Sequence, residues 1–353
     1  MQFCSKCLFS GTDKDFKTIK YIQQEYLKDN TPWYVGYSGG KDSSALLTLL
    51  MNSLLGLGDY NRQVTVIFCD TGVENPIIVS YVYDTFKNLE AECRELRIPI
   101  NFKIVKPKLE DRFFVKVIGK GYPTPTNIFR WCTKSLRINP VKKVIDANQN
   151  AIILLGLRNN ESIERDRTIS KHKSNADYYL KQNKSSDKLI FAPLLDYDIK
   201  DVWSTIKFKN LPVSINHEVI GKLYKDAGSE CPVYKETNGS PCGKGRFGCW
   251  TCTVVRKDRS VEKMIENGYE MLIPLFNFRN WIADFRDDKR YRCSQRRNGK
   301  TGLGPITLAG RRIIYEKLLV VERETGLELL QKDEINLIKT YWDADLGNPK
   351  YVE

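Results

Sequence analysis

The sequence predicts an α/β protein built on a parallel, doubly wound sheet, followed by a C-terminal region of helices. Between residues 32 and 210, short β-branched or apolar runs alternate with segments of helical pattern, and strands linked through helices pair in parallel. Residues 151–156, AIILLG, are apolar throughout, as in a strand buried on both faces. A glycine turn directly follows the first predicted strand and precedes an apolar helix.

Each element is predicted from its own run of residues. Strands are expected at 33–37, 64–69, 101–105, 151–156 and 189–194. Helices are expected at 44–55, from the Asn75 cap with Pro76 as first helical residue, and around Asp201. Residues 1–30 are a polar lead-in with a helical pattern at 19–26, residues 170–188 are expected to be loop, and residues 260–342 predict several helices. The predicted division of the chain is 1–30, 31–210 and 211–353.

The charge balance favours a polyanionic partner. The chain has 353 residues, with 56 Lys and Arg against 43 Asp and Glu, a net charge of +13. One nucleotide needs only a few cations. The surplus therefore favours a nucleic-acid backbone, whose phosphates supply most of the binding free energy, over a merely solvated surface.

The N-terminus and the ten cysteines indicate the compartment. Residues 1–10 have no basic segment followed by an apolar core, as a secretion signal would, and the apolar stretch 45–57 is too short to span a bilayer. We therefore expect a cytoplasmic protein with reduced thiols. In that compartment, clustered cysteines indicate metal or redox chemistry rather than disulfides.

The strongest motif is YSGGKDS at residues 37–43. A loop between a strand and a helix presents backbone N–H groups to an anion, and glycines let the backbone approach phosphate. The spacing differs from that of a Walker A loop. Lys41 and Asp42 are candidate catalytic residues. The candidate nucleotide-binding residues of the loop are Ser38, Gly39, Gly40, Lys41, Asp42 and Ser43.

This loop resembles the signature of PP-loop ATP pyrophosphatases, which include PAPS reductases and tRNA thiolases. The resemblance implies a Rossmann-like adenine nucleotide α-hydrolase fold, with the loop holding the pyrophosphate of ATP beside Mg²⁺ while AMP is transferred to an oxygen. Residues 70–76, DTGVENP, resemble the DTG-x-E stretch of PAPS reductases, and residues 156–165 resemble a later phosphate-contacting segment. For Asp70 and Glu74, capping or salt-bridging is the alternative role. These matches add Asp70, Glu74, Arg158 and Arg165 to the candidate nucleotide site.

Further segments resemble one subfamily, DndC, the sulfurtransferase of DNA phosphorothioation. They are residues 121–125, 129–133, 136–140, 246–253 and 304–308. The resemblance implies an ATP-dependent enzyme that adenylylates a DNA backbone phosphate oxygen and helps to replace it with sulfur, in the context of phage defence. It also implies a cysteine desulfurase as sulfur donor and other proteins of a DNA-modification complex as partners. A related thiolation system is an open alternative.

Four cysteines in a stretch rich in glycine and proline have the spacing C-x10-C-x6-C-x2-C. They are the candidate metal ligands Cys231, Cys242, Cys249 and Cys252. Four thiolates suit either zinc or a cubane iron–sulfur cluster, and the spacing does not separate the two. The DndC resemblance favours a [4Fe–4S] cluster, with zinc as the alternative.

Three other cysteines have candidate roles. Cys132 lies beside Arg130 and Lys134, so we expect a lowered pKa and a role as catalytic nucleophile or persulfide carrier, with a small core residue as the alternative. Cys4 and Cys7 are either half of a zinc knuckle or a free terminal pair.

A basic segment lies late in the chain, at residues 286–300, and includes Tyr291. Its cations suit a nucleic-acid backbone and its tyrosine suits stacking on a base, with a solvated helix face as the alternative. The candidate nucleic-acid contacts are Arg290, Arg292, Arg296 and Arg297.

Two other functions stay open. One is a PAPS or APS reductase. Such enzymes use a cysteine near the C-terminus, whereas none follows Cys293 in this sequence. The other is a nucleic-acid-binding scaffold whose nucleotide site is regulatory. The only histidines, His172 and His217, are expected at the surface and offer little material for a Ser-His or Cys-His pair.

Overall fold

The structure is a computed structural model that describes residues 11–58, 60–148, 150–161, 163–172, 174, 176–181, 188–207, 211–228 and 247–347. Its strands are β1 (Trp33–Gly36), β2 (Val64–Cys69), β3 (Ile100–Val105), β4 (Ile152–Leu154), β5 (Tyr179–Lys181) and β6 (Leu189–Phe191). Its α-helices are α1 (Asp13–Leu27), α2 (Lys41–Leu55), α3 (Pro76–Glu95), α4 (Asn139–Ile145), α5 (Ile163–His172), α6 (Ile199–Lys207), α7 (His217–Asp226), α8 (Arg259–Glu266), α9 (Ile273–Phe285), α10 (Leu308–Thr325) and α11 (Lys332–Leu346).

The strands form one sheet in the order β3-β2-β1-β4-β6-β5. Every pair is parallel except the edge pair β5–β6, which is antiparallel. The structure therefore confirms the predicted α/β class. The chain winds outward from β1 through β2 to β3 and then crosses to the other side of β1 at β4. Open α/β sheets bind ligands beyond the carboxyl ends of the strands at such a reversal, here between β1 and β4.

Helix α2 forms the centre of the core behind this reversal. It is buried on nearly all sides, because other elements enclose it. Leu46 and Leu50 are fully buried, and α2 packs against both α1 and α6. The glycine turn in front of α2 is thus held by a rigid helix.

Helix α1 confirms and extends the helical pattern predicted at 19–26. Thr12 caps the helix in a capping box with Asp15, which satisfies backbone N–H groups at its start. Ile22 and Tyr26 are fully buried, and the Tyr26 hydroxyl donates to the carbonyl of Arg62 at 2.9 Å. The lead-in therefore contributes to the core, while the three-part division of the chain remains a prediction.

The predicted C-terminal helices are present as α8 to α11. Arg311 on α10 is fully buried and donates to the carbonyls of Gly119, at 2.8 Å, and Ile306, at 2.9 Å. These bonds attach the C-terminal helices to the π-helical turn Val115–Gly119. No helix in the described ranges is long and apolar enough to cross a membrane.

The prediction of a continuous loop at 170–188 is wrong in two places. His172 is the last residue of α5 rather than a loop residue, and Tyr179–Lys181 forms the edge strand β5. The Tyr179 ring stacks on Phe191 of β6 at a centroid separation of 5.1 Å. A strand of three residues is too short to show an alternating pattern, so the sequence contains no signal for β5.

Candidate functional site

The loop at residues 37–43 adopts a turn that only glycine accommodates. Gly39 has φ +74°, and a Cβ at this position would lie 2.5 Å from Val82 Cγ2 of α3. The hydroxyls of Ser38 and Ser43 lie 3.1 Å apart, and the Ser38 N–H donates to Ser43 Oγ at 3.2 Å. Gly40 caps α2 without a side chain. The structure therefore places two hydroxyls and a helix N-terminus at the end of β1, which suits an anion.

Two buried cations flank this loop. Lys41 and Arg158 are 5% and 4% exposed, and both pair with Asp42: Lys41 Nζ lies 3.1 Å from Oδ2, and the Arg158 Nε donates to Oδ1. Arg158 reaches the loop because Gly156 lies directly against it. A Cβ on Gly156 would come within 2.6 Å of the Asp42 carbonyl oxygen. Asp42 thus orients both cations at the reversal between β1 and β4.

Asp70 at the end of β2 stabilises its own turn. Its carboxylate accepts hydrogen bonds from the Gly72 N–H at 2.9 Å and the Tyr83 hydroxyl at 2.8 Å, and Lys106 Nζ lies 3.4 Å away. These contacts fit the capping and salt-bridging alternative. The nucleotide-binding role of Asp70 remains a prediction.

Glu74 joins the β2 edge to the cysteine segment. Arg137 Nη2 lies 2.9 Å from Glu74 Oε1, and the Cys249 thiol lies 3.7 Å from the same oxygen. The backbone is connected there as well, because Glu74 and Cys249 form an isolated antiparallel bridge and the Trp250 N–H donates to the Val73 carbonyl at 2.9 Å. The C-x2-C turn therefore lies at the carboxyl end of β2.

Tyr224 on α7 touches both parts of this region. Its hydroxyl oxygen accepts from the Lys41 N–H at 3.2 Å, and Lys41 Nζ lies 5.1 Å from its ring centroid. On the other side, its ring packs edge-on against Phe247 at 4.9 Å, two residues before Cys249. The phosphate loop and the cysteine segment are consequently adjacent although the chain separates them widely.

A family model described as "Phosphoadenosine phosphosulfate reductase domain" matches residues 32–255, which include both parts of the site. The chain belongs to this family. Membership confirms the predicted PP-loop superfamily and an enzyme family that handles adenine nucleotides. The narrower resemblance to DndC remains a prediction.

The relatives of this PAPS reductase domain give no narrower identity. Two uncharacterized proteins of Methanocaldococcus jannaschii are 28% identical over 236 residues and 26% identical over 239 residues, covering 66% and 68% of the chain. The matches span only 38% and 46% of those relatives' own lengths.

Similar solved structures include a PAPS reductase from Candida auris in a phosphate complex, with 12% identity, a TM-score of 0.34, and 56% of this chain and 87% of that chain covered. A U34-tRNA thiolase from Methanococcus maripaludis with its [4Fe–4S] cluster has 13% identity, a TM-score of 0.33, and 80% and 82% coverage. Scores of this size do not transfer a function to the PAPS reductase domain described here.

The pKa expected for the Cys132 thiol is wrong. Burial, followed by the nearby charge of Cys252, raises the pKa of the Cys132 thiol, whereas a lowered pKa was expected. Arg130 points away instead and donates to Asn127 Oδ1 at 3.0 Å. Burial likewise raises the pKa of Cys249 to about 12. Sequence adjacency to cations therefore does not lower the pKa of Cys132. The catalytic role of Cys132 remains a prediction.

The structure describes only part of the predicted four-cysteine site. Cys249 and Cys252 lie in one turn, in which the Cys252 N–H donates to the Cys249 carbonyl at 3.0 Å, while Cys231, Cys242, Cys4 and Cys7 lie outside the described residues. In the ranges that the structure describes, no group of three or more His, Cys, Asp or Glu is arranged to hold a metal ion. Cys249 and Cys252 supply two thiols with the donor chemistry of a thiolate site. The metal assignment remains a prediction.

The basic segment 286–300 uses several of its cations internally. Arg292 donates to the carbonyls of Gly304, at 2.7 Å, and Arg286, at 2.5 Å. Arg290 pairs with Asp288 at 2.7 Å. Arg297 donates to the Lys120 carbonyl and lies 4.6 Å from the Tyr122 ring, while Arg296 is exposed.

The sequence did not predict two residues of the site, Arg137 and Tyr224. The side chain of a third residue, Arg165, is not described by the structure. Arg137 was part of a family-like block but had no role, and Tyr224 had no local signal because its contacts are all distant in sequence. Arg165 lies in α5, and its side chain is outside the description.

Proposed function

We propose that this chain is an ATP-dependent sulfurtransferase that adenylylates a phosphate oxygen of a DNA backbone and exchanges that oxygen for sulfur. The observation that carries the proposal is the adjacency of two chemistries. A phosphate-type loop after β1 and a cysteine turn at the edge of β2 are joined through Tyr224. Family membership supports the nucleotide half of the reaction.

In the first step, a non-bridging oxygen of the DNA phosphodiester attacks the α-phosphorus of ATP, and pyrophosphate leaves. Lys41 and Arg158 would turn from Asp42 towards the phosphates and neutralise the charge that develops on the leaving group, with Mg²⁺ as the divalent partner. Ser38, Ser43 and the start of α2 would hold the pyrophosphate.

In the second step, a sulfur nucleophile attacks the activated DNA phosphorus, and AMP leaves. AMP is a good leaving group at neutral pH, whereas an unactivated phosphate oxygen is not. With hydrosulfide as donor, no electrons change hands. With a persulfide from a cysteine desulfurase, a thiol must also attack the S–S bond, which releases the thiophosphate and leaves a disulfide. Cys132, which is outside the proposed ligand set, offers such a thiol.

The cysteine turn is also proposed to hold a [4Fe–4S] cluster through Cys249 and Cys252, together with Cys231 and Cys242. With four cysteine ligands, such a cluster would supply redox chemistry and structural support at this turn. Glu74 and Arg137 fix the backbone of this turn against β2.

The test is a reaction with ATP, Mg²⁺, duplex DNA and sulfide, followed by nuclease digestion and mass spectrometry. We expect AMP and pyrophosphate in equal amounts and phosphorothioate-linked dinucleotides in the digest. Formation of AMP and pyrophosphate without a change in the mass of the DNA would show that ATP is cleaved without sulfur transfer. Absence of any ATP cleavage would favour the nucleic-acid-binding scaffold instead.

A second candidate function is reduction of a sulfonucleotide, which the name of the family favours. It is distinguished by offering PAPS or APS with a thiol reductant and no ATP. Release of sulfite under those conditions, without phosphorothioate in the first assay, would replace the sulfurtransferase proposal.

A further inference from the structure

A tight turn exposes two large apolar side chains next to the site. Thr126 N–H donates to the Phe129 carbonyl at 3.2 Å, and Phe129 N–H donates to Thr126 Oγ1 at 3.0 Å. At its tip, Ile128 is 99% exposed and Phe129 is 46% exposed. We name residues 126–130 the Phe129 loop. Large apolar residues that face solvent together in this way mark a contact surface.

The base of the Phe129 loop is fixed. The Pro125 carbonyl accepts from Thr253 Oγ1 at 2.7 Å and from Arg286 Nη1 at 3.1 Å, and Trp131 Nε1 donates to the Pro123 carbonyl at 2.9 Å. Thr253 follows Cys252 directly, so the cysteine turn and the loop share an anchor. The apolar tip is held at this place by the fold.

The segment that carries the tip is cationic. No Asp or Glu occurs between Asp111 and Asp146, and that stretch carries eight Lys and Arg. Its exposed cations begin next to the tip and continue along the helical residues that follow, where Ile138 is a further apolar residue at 52% exposure. They are Arg130, Lys134, Arg137, Lys142 and Lys143. Such a surface is complementary to a polyanion that also presents flat apolar faces.

The tip is also close to the proposed chemistry. Phe129 precedes Cys132 by three residues, and three residues span at most ~11 Å even when fully extended. Thr253, next to Cys252, donates its hydroxyl to the Pro125 carbonyl at 2.7 Å, four residues before Phe129. A nucleotide that contacts Phe129 therefore has its neighbouring phosphate within reach of the cysteine turn.

We propose that the Phe129 loop is a wedge that unstacks a base of the DNA substrate beside the phosphate to be modified. Phe129 stacks on the displaced base, Ile128 fills the gap, and Arg130 and Lys134 neutralise the flanking phosphates. The inference rests on the proposed function, because it deepens the nature of the substrate. A protein partner fits less well, because a stable interface needs about 800 Å² from each side and cations rather than apolar residues surround this tip.

The experiment measures binding of duplex DNA with a single 2-aminopurine, whose fluorescence rises on unstacking. Wild-type protein should raise the fluorescence. Phe129→Ala should abolish the rise and weaken binding about 5- to 150-fold, which corresponds to ~1–3 kcal/mol of base stacking. Phe129→Trp should keep both, and Val320→Ala, an exposed apolar residue on α10, serves as the matched control.

Salt dependence separates wedge from backbone contacts. Phe129→Ala removes no charge and should leave the slope of log K against log salt unchanged. Replacing Arg130 and Lys134 by Gln should reduce the magnitude of the slope by about 1.8. The wedge alone would be overturned if the wild-type protein binds and thiolates DNA without raising the fluorescence, and Phe129→Ala binds DNA as tightly as the wild type. A wild-type protein that does not bind DNA would overturn the proposed function and the wedge with it.

Discussion

The two halves of the site are built in opposite ways. The phosphate-loop half comes from seven consecutive residues that connect β1 to the first turn of α2, with Arg158 added from the segment that follows β4. The cysteine half joins Glu74, Arg137 and Cys249, which are separated by 63 and 112 positions in the sequence. Most of the first half lies in one short segment of the chain, although Arg158 and Tyr224 reach it from elsewhere. The second half exists only when the whole domain has folded.

The largest expected effect is the loss of metal from the cysteine half without loss of ATP cleavage by the phosphate-loop half. Replacing Cys249 and Cys252 together by Ser should remove essentially all bound iron, and with it the absorption around 400 nm of protein purified without oxygen. ATP cleavage should survive, because no residue of the phosphate loop is altered. Cys93→Ser, a buried cysteine on α3, is the control. A colourless wild-type protein with one bound zinc would change the metal assignment from iron to zinc. An unchanged metal content in the double variant would refute the proposed metal site.

Lys41→Ala should produce the next largest effect, now in the other half. Loss of one preorganised cation beside the phosphates costs about 10²–10³ in the rate of pyrophosphate release. Metal content should stay as in the wild type. Lys263→Ala, an exposed lysine paired with Glu266 on α8, provides the control. Wild-type turnover in Lys41→Ala would remove the loop from the mechanism.

A third prediction compares two arginines of the basic segment 286–300, one hydrogen-bonded within the protein and one exposed. Arg292→Gln should lower the free energy of unfolding by ~1–3 kcal/mol, because its guanidinium holds the Gly304 and Arg286 carbonyls. Arg296→Gln, at an exposed position, should leave stability nearly unchanged. Urea denaturation of both variants checks this. Equal stabilities would mean that the Arg292 contacts contribute nothing.

The smallest effect tests the junction of the halves. Tyr224→Phe loses the hydroxyl that accepts from the Lys41 N–H but keeps the ring contact with Phe247. We expect a loss of ~0.5–1.5 kcal/mol in ATP binding, measured by calorimetry, since one hydrogen bond is lost. A loss as large as that of Lys41→Ala would assign Tyr224 a chemical role instead of a positioning one.

The sequence predicted what local order determines. The order of strands and helices, the Asn75 cap with Pro76 and the position of the phosphate loop at the end of β1 all follow from short patterns. Strand ends were less accurate, because β4 pairs over only Ile152–Leu154 of the apolar run.

The remainder depends on which distant segments meet. The raised pKa of Cys132 comes from burial by other parts of the chain, and the internal use of Arg292 comes from carbonyls twelve and six positions away. Neither has a signature in the neighbouring residues. The contact between Glu74 and Cys249 is of the same kind, because the backbone bridge that creates it connects segments 175 positions apart.

The contacts of Tyr224 with Lys41 and Phe247 would couple the binding of the two proposed ligands, ATP and the metal. If ATP tightens the contact between Tyr224 and Lys41, and that tightening stabilises the Phe247 side of the ring, nucleotide and metal each bind better in the presence of the other. The two enhancement factors must then be equal, because binding free energies form a closed cycle. Metal-depleted protein would therefore show a weakened affinity for ATP, and ATP would slow the release of metal to a chelator.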